Sequence, residues 1–180
     1  MDKGPLRVKD CGRETVRKTK RALERLAGLL ERSAVEIEID RETGVVKLLR
    51  VVSAHDVGKA INPMALTGQI QGGIMMGLGY ALWEELRFED GKIANGSFAD
   101  YKIATPRDIP DAVALMVEKH YAAEPYGAKG VGEMAVFGIA PAIANALART
   151  VGVRLKDLPM SAEKLLEQIK RPTAPPAPIL

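Results

Sequence analysis

Between Ala60 and Trp83 the chain has no charged residue, yet the span holds five glycines (Gly68, Gly72, Gly73, Gly77, Gly79) and the amides Asn62, Gln69 and Gln71. Asn62-Pro63 reads as a helix start, with the asparagine as cap and the proline in the first turn, where its missing N–H costs nothing. The helix is expected to run to about Glu85. Each glycine inside it costs about 1 kcal/mol relative to alanine. Five cost on the order of 4–5 kcal/mol, a large share of a domain's net stability. Such residues persist where something approaches the helix backbone closely. Two readings stand: close packing against a sheet, or a cofactor across the first turns with Gln69 bonding to it. The span is also long enough to cross a bilayer. Its continuous apolar part, Ile74 to Trp83, is only about half of a crossing, however, and amides are costly in lipid. No membrane is expected.

The flanking pattern is mixed. Val35, Ile37 and Ile39 alternate with Glu36 and Glu38, Gly44 supplies a turn, and an apolar run from Val45 to Ala54 follows, which predicts a hairpin. "HDVGKAINP" should leave the sheet as a loop. Asp90-Gly91 marks a second hairpin, and residues 98–104 and 112–119 are strand candidates. "APAIANALART" and "SAEKLLEQIK" read as helices, with Gly152 and Ser161 as caps. This mixture predicts an α+β fold rather than a wound parallel sheet. The aromatic content of 4% against 47% hydrophobic residues calls for an aliphatic, Met-rich core.

Three regions are expected: a basic amphipathic helical extension over 1–33, a folded unit over 34–170, and a Pro-rich disordered tail over 171–180. The extension holds ten Lys/Arg against five Asp/Glu, although the whole chain nets only +3. Its helix, over 14–33, reads as a solvated helix with one packed stripe. It lacks the interleaved aromatics of a nucleic-acid arm, so no nucleic acid is expected. The single cysteine, Cys11, makes no internal disulfide and no iron–sulfur or zinc site. The first residues lack an apolar signal core, which points to a cytoplasmic protein.

"PYGAKGVGEM", residues 125–134, sets three glycines around Lys129 and ends beside Glu133. A phosphate loop is excluded, because neither Gly58-Lys59 nor Lys129-Gly130 is followed by a hydroxyl for magnesium. Gly130-x-Gly132-x-x-Ala135 matches a dinucleotide pattern loosely, but no apolar strand precedes it. A surface turn remains, and so does a loop that delivers Glu133 as a general base. In the second case Lys129 would favour the ionised carboxylate.

Five stretches in fixed order, "VEIEIDRETGVVKLLRVVSAHDVGKAINP", "GQIQGGIMMGLGYALWEE", "FADYKIATPRDIP", "YGAKGVGEM" and "APAIANAL", resemble the C-terminal part of the molybdenum-binding (large) subunit of the xanthine dehydrogenase and aldehyde oxidoreductase family. The resemblance covers about Ala34 to Ile169. It implies an oxidoreductase that hydroxylates an aldehyde or aromatic heterocycle with oxygen from water. The molybdenum would be held by a molybdopterin, in some relatives a cytosine dinucleotide, and not by side chains; His55 and His120 are then structural. Residue by residue, Glu133 takes the place of the family's catalytic base and Gln69 that of a cofactor-binding glutamine. The backbone of Gly130, Val131 and Gly132 would lie against the metal centre.

The earlier parts of the large subunit are missing from this chain, and residues 1–33 match poorly. The resemblance therefore implies a fragment, split-gene subunit or remnant, inactive alone. Its partners would be the rest of the molybdenum subunit and subunits carrying FAD and 2Fe–2S clusters. A non-catalytic structural or assembly subunit is the alternative. Substrate identity is not encoded in these stretches.

Overall fold

The computed structural model describes residues 6–7, 31–119 and 122–170. Most of the expected N-terminal helix, Cys11, His120 and the Pro-rich tail lie outside the described residues. The elements are β1 (Leu6–Arg7), β2 (Glu31–Ile39), β3 (Val46–Asp56), α1 (Pro63–Leu82), β4 (Phe88–Glu89), β5 (Lys92–Ile93), β6 (Asp111–Val117), a 3-10 turn (Pro125–Gly127), α2 (Met134–Phe137), α3 (Ile139–Val151) and α4 (Ala162–Lys170). The main sheet has the order β1-β2-β3-β6, and the β4-β5 hairpin stands apart. β1, β2 and β3 pair antiparallel, while β6 joins β3 in parallel. The fold is α+β.

The β2–β3 hairpin follows its alternation. Val35 faces Val51 and Ile39 faces Val46, with a bulge between Glu36 and Ile37. Gly44, at φ 75°, closes the turn in a left-handed conformation that side chains avoid. A Cβ there would also lie 2.2 Å from the Ala162 carbonyl oxygen, so α4 packs directly on this turn. Ile37, Ile39, Val46, Leu48 and Val51 form one face of an aliphatic core. Ile70, Ile74 and Leu78 of α1, Ile139, Ile143 and Leu147 of α3, Met160 and Leu165 close it. Burying each such side chain contributes about 1.5–3 kcal/mol. The stretch Met134–Val151 is apolar and long enough to cross a membrane by length and composition; in this fold its Ile139, Ile143 and Leu147 are fully buried in the core.

Four expectations need correction. β2 begins at Glu31, so residues 31–33 are strand rather than the end of a helix; Glu31, Arg32 and Ser33 find partners in His55, Ala54 and Ser53. β3 runs on to Asp56, because the parallel strand β6 pairs Met116 with His55 and Val117 with Asp56. α1 ends at Leu82 and not near Glu85: the Gly79 carbonyl accepts from both Trp83 N–H and Glu84 N–H and closes the last turn. Residues 98–104 are no strand. The Ser97 carbonyl accepts from the N–H groups of Asp100 and Tyr101 in a tight turn, and local bonding wins where no neighbouring strand is at hand. The other caps follow the sequence reading: Asn62 accepts from Ala65 N–H at 3.0 Å, and Gly152 ends α3 at φ 73°.

Candidate functional site

Four of the five glycines of α1 divide into two sets, while Gly79 faces the Glu84 carboxylate. A Cβ on Gly73 would lie 2.7 Å from Ala135 Cβ, and one on Gly77 would lie 2.8 Å from the Val136 carbonyl oxygen. These two let α2 sit directly on the helix backbone. Gly68 and Gly72, one turn apart on another line of the same helix, have nothing within 4 Å of an added Cβ. No packing within the described residues explains them.

Gln69 lies between these open glycines in sequence. Its Nε2 donates to the Gly132 carbonyl oxygen at 3.0 Å. The acceptor fixes the amide's orientation, since a carbonyl oxygen can only accept. The bond joins the start of α1 to the loop that carries Gly130, Val131, Gly132 and Glu133. Gly130 and Gly132, like Gly68 and Gly72, meet nothing within 4 Å of an added Cβ. Four bare backbone positions thus stand on two segments tied by one hydrogen bond. Gln71 is used differently: its Nε2 donates to the Ala112 carbonyl oxygen on β6, at 3.2 Å.

Glu133 is the residue before α2, with φ −98° and ψ 13°, and its side chain makes no capping bond. It is exposed, while Ala135 two residues on is buried. The carboxylate therefore stands at the surface where the loop turns into the core. Lys129, which the sequence offers as a neighbour that would favour an ionised Glu133, has its Nζ 2.8 Å from Asp56 Oδ2. Burial pushes the Asp56 carboxyl up, but the Lys129 ammonium and the Gly58 N–H outweigh it and hold the group below the ordinary carboxylate range.

Sequence reading missed a second polar group, on β2 and β3 against Gly138. Ser33 Oγ donates to Glu31 Oε1, Ser33 Oγ meets Ser53 Oγ, and Ser53 Oγ meets His55 Nε2, each at 2.8 Å. Because Glu31 Oε1 accepts from Ser33, the run of donors leads back to His55, whose Nε2 then carries the proton. His55 is fully buried and its Nδ1 has no hydrogen-bond partner. Burial lowers its pKa to about 4, so the ring is neutral. Glu31 is pushed up by burial, against hydrogen bonds from Ser33 and the Gly138 N–H. Polar residues at alternate positions where the two strands pair, Glu31 and Ser33 against His55 and Ser53, were the available signal.

Residues 28–110 match the family model described as the molybdopterin cofactor-binding domain. The chain is 40% identical over 139 residues to a probable xanthine dehydrogenase subunit of Bacillus subtilis (strain 168), covering 77% of this chain and 19% of that protein. The chain belongs to the molybdenum-binding subunit family of the xanthine dehydrogenases and aldehyde oxidoreductases. The aldehyde oxidoreductase molybdenum-binding subunit PaoC of Escherichia coli (strain K12) is 35% identical over 138 residues, covering 75% of this chain and 19% of that protein. Among solved structures, quinoline 2-oxidoreductase from Pseudomonas putida 86 superposes with a TM-score of 0.72 at 32% identity, over 77% of this chain and 18% of that one. The chain spans about a fifth of the length of these curated relatives. Bare backbone at Gly68, Gly72, Gly130 and Gly132, with an amide and an exposed carboxylate between them, fits a bulky polar cofactor laid against main chain.

Proposed function

We propose that this chain supplies the α1 and Glu133-loop portion of the active site of a molybdenum hydroxylase acting on an aldehyde or aromatic heterocycle. The observation that carries the proposal is the Gln69–Gly132 hydrogen bond, which brings the glutamine motif and the glutamate motif to one surface of unfilled glycines. When bound, a molybdopterin-held molybdenum supplies the redox chemistry and the oxygen drawn from water. Gln69 keeps one N–H on Gly132 and offers its second N–H and its carbonyl oxygen to the cofactor. Gly130, Val131 and Gly132 offer main chain. Glu133 accepts a proton at its carboxylate oxygen, as a general base must. Closing the site over Glu133 requires the rest of the molybdenum subunit, and onward electron transfer requires FAD and 2Fe–2S partner subunits.

The exposure of Glu133 in this chain favours a second reading, a structural or assembly subunit that leaves catalysis to other chains. Glu133→Gln in the assembled enzyme separates the two. The base reading expects molybdenum content unchanged and kcat lowered by about 10²-fold or more. Unchanged turnover overturns it and leaves the structural reading.

A further inference from the structure

We propose that Asp56 and Lys129 form a clasp that sets the register of the 125–133 loop against the end of β3, so that both act as positioning residues for Glu133. The proposal rests on the reading of Glu133 as the base.

Asp56 is the last residue of β3 and is 4% exposed. Both of its carboxylate oxygens are engaged: Oδ1 accepts from Gly58 N–H at 3.1 Å, and Oδ2 accepts from Lys129 Nζ at 2.8 Å. Main-chain bonds run alongside. Lys59 N–H donates to the Gly127 carbonyl oxygen at 2.8 Å, and Lys129 N–H donates to the Val57 carbonyl oxygen at 3.0 Å. Gly58 and Ala128 form an isolated antiparallel bridge. The approach is too close for a side chain, since a Cβ on Gly58 would lie 2.3 Å from the Gly127 carbonyl oxygen and Gly58 sits at φ 61°.

The loop is therefore tied twice. Lys129 is held by the end of β3, and Gly132 is held by Gln69. Only Gly130 and Val131 lie between the ties, and Glu133 follows at once. A glycine-rich segment has many backbone conformations open to it; two fixed points three residues apart leave few. A buried ion pair adds little net stability over an apolar pair of similar volume. What it adds is direction. An apolar contact tolerates sliding of the loop along the strand end, whereas a carboxylate with one oxygen on Gly58 and the other on Lys129 accepts one register.

Hydrogen exchange on the full chain reads this directly. Lys129→Met should speed exchange of the Lys59 and Lys129 amides by about tenfold or more, with the Ile143–Leu147 amides of α3 unchanged. Lys129→Arg should restore protection. If Lys129→Met leaves a buried charge that prevents folding, the double variant Asp56→Asn/Lys129→Met removes both charges and carries the same expectation. Exchange at the wild-type rate in the folded variant overturns the clasp. In the assembled enzyme, Lys129→Met should lower kcat with KM and molybdenum content held, and Lys129→Arg should recover most of it. A fall in kcat that only tracks lost molybdenum overturns the positioning role. Glu133→Gln is the separate control: it should leave the exchange pattern intact, so full turnover in that variant overturns the base reading while the exchange result still decides the clasp.

Discussion

Gln69 and Gly132 are 63 residues apart in sequence and 3.0 Å apart in space, amide to carbonyl. The bond makes one surface of the two glycine-bearing segments. Gln69→Glu replaces the donor with an oxygen facing an oxygen. It should lower the molybdenum content of the assembled enzyme, and Gln69→Ala should do so less. Both should change the stability of the chain by no more than about 1 kcal/mol, because the amide is solvent-exposed. Metal analysis together with urea unfolding checks the pair.

The division of the α1 glycines predicts opposite signs for one substitution. Gly73→Ala and Gly77→Ala force α2 away from the helix and should destabilise by about 1–3 kcal/mol. Gly68→Ala and Gly72→Ala meet nothing and should stabilise the chain by about 1 kcal/mol each. The same two should impair cofactor retention in the assembled enzyme. Urea midpoints of the four variants test the sign, and molybdenum content tests the reason.

His55 predicts a pH dependence. Its folded pKa is lowered to about 4 by burial, from the usual 6.5. Above 6.5 the ring is neutral in both states and its contribution is complete. Between 6.5 and about 4 the unfolded chain takes up a proton that the folded chain refuses, so stability falls as pH falls. The slope reaches at most about 1.4 kcal/mol per pH unit. Unfolding free energies at about pH 7, 6 and 5 should drop in the wild type and drop less in His55→Gln.

Tyr126 holds φ 57° while 86% exposed. An L-residue in this region costs about 1–2 kcal/mol, and glycine relieves it at some cost in unfolded-state entropy. Tyr126→Gly should therefore stabilise the chain by up to about 1 kcal/mol. Thermal unfolding of the variant is the check, and a lower melting temperature would show that the ring contributes more than its backbone costs.

Local chemistry was legible where it acts over a few residues. The Asn62 cap, the Gly44 and Gly152 left-handed positions and the Asp90-Gly91 turn all sit where the sequence reading puts them. The 98–104 segment is different, because its apolar residues suggest a strand that does not form. The backbone there bonds to itself through Ser97, and no pairing strand among the described residues lies beside it.

The sequence by itself determined the hairpin, the helix starts and ends set by caps and glycines, and a flexible loop ending in an acid. Backbone preference and hydrophobic alternation act within a window of a few residues, so they can be read along the chain. Only the tertiary structure decided which glycines of α1 carry packing and which stand open, that Lys129 pairs with Asp56, and that Gln69 reaches Gly132. Those contacts arise because β6 adds to β3 in parallel and α2 settles onto Gly73 and Gly77. Both depend on how aliphatic faces distant in sequence close on one core.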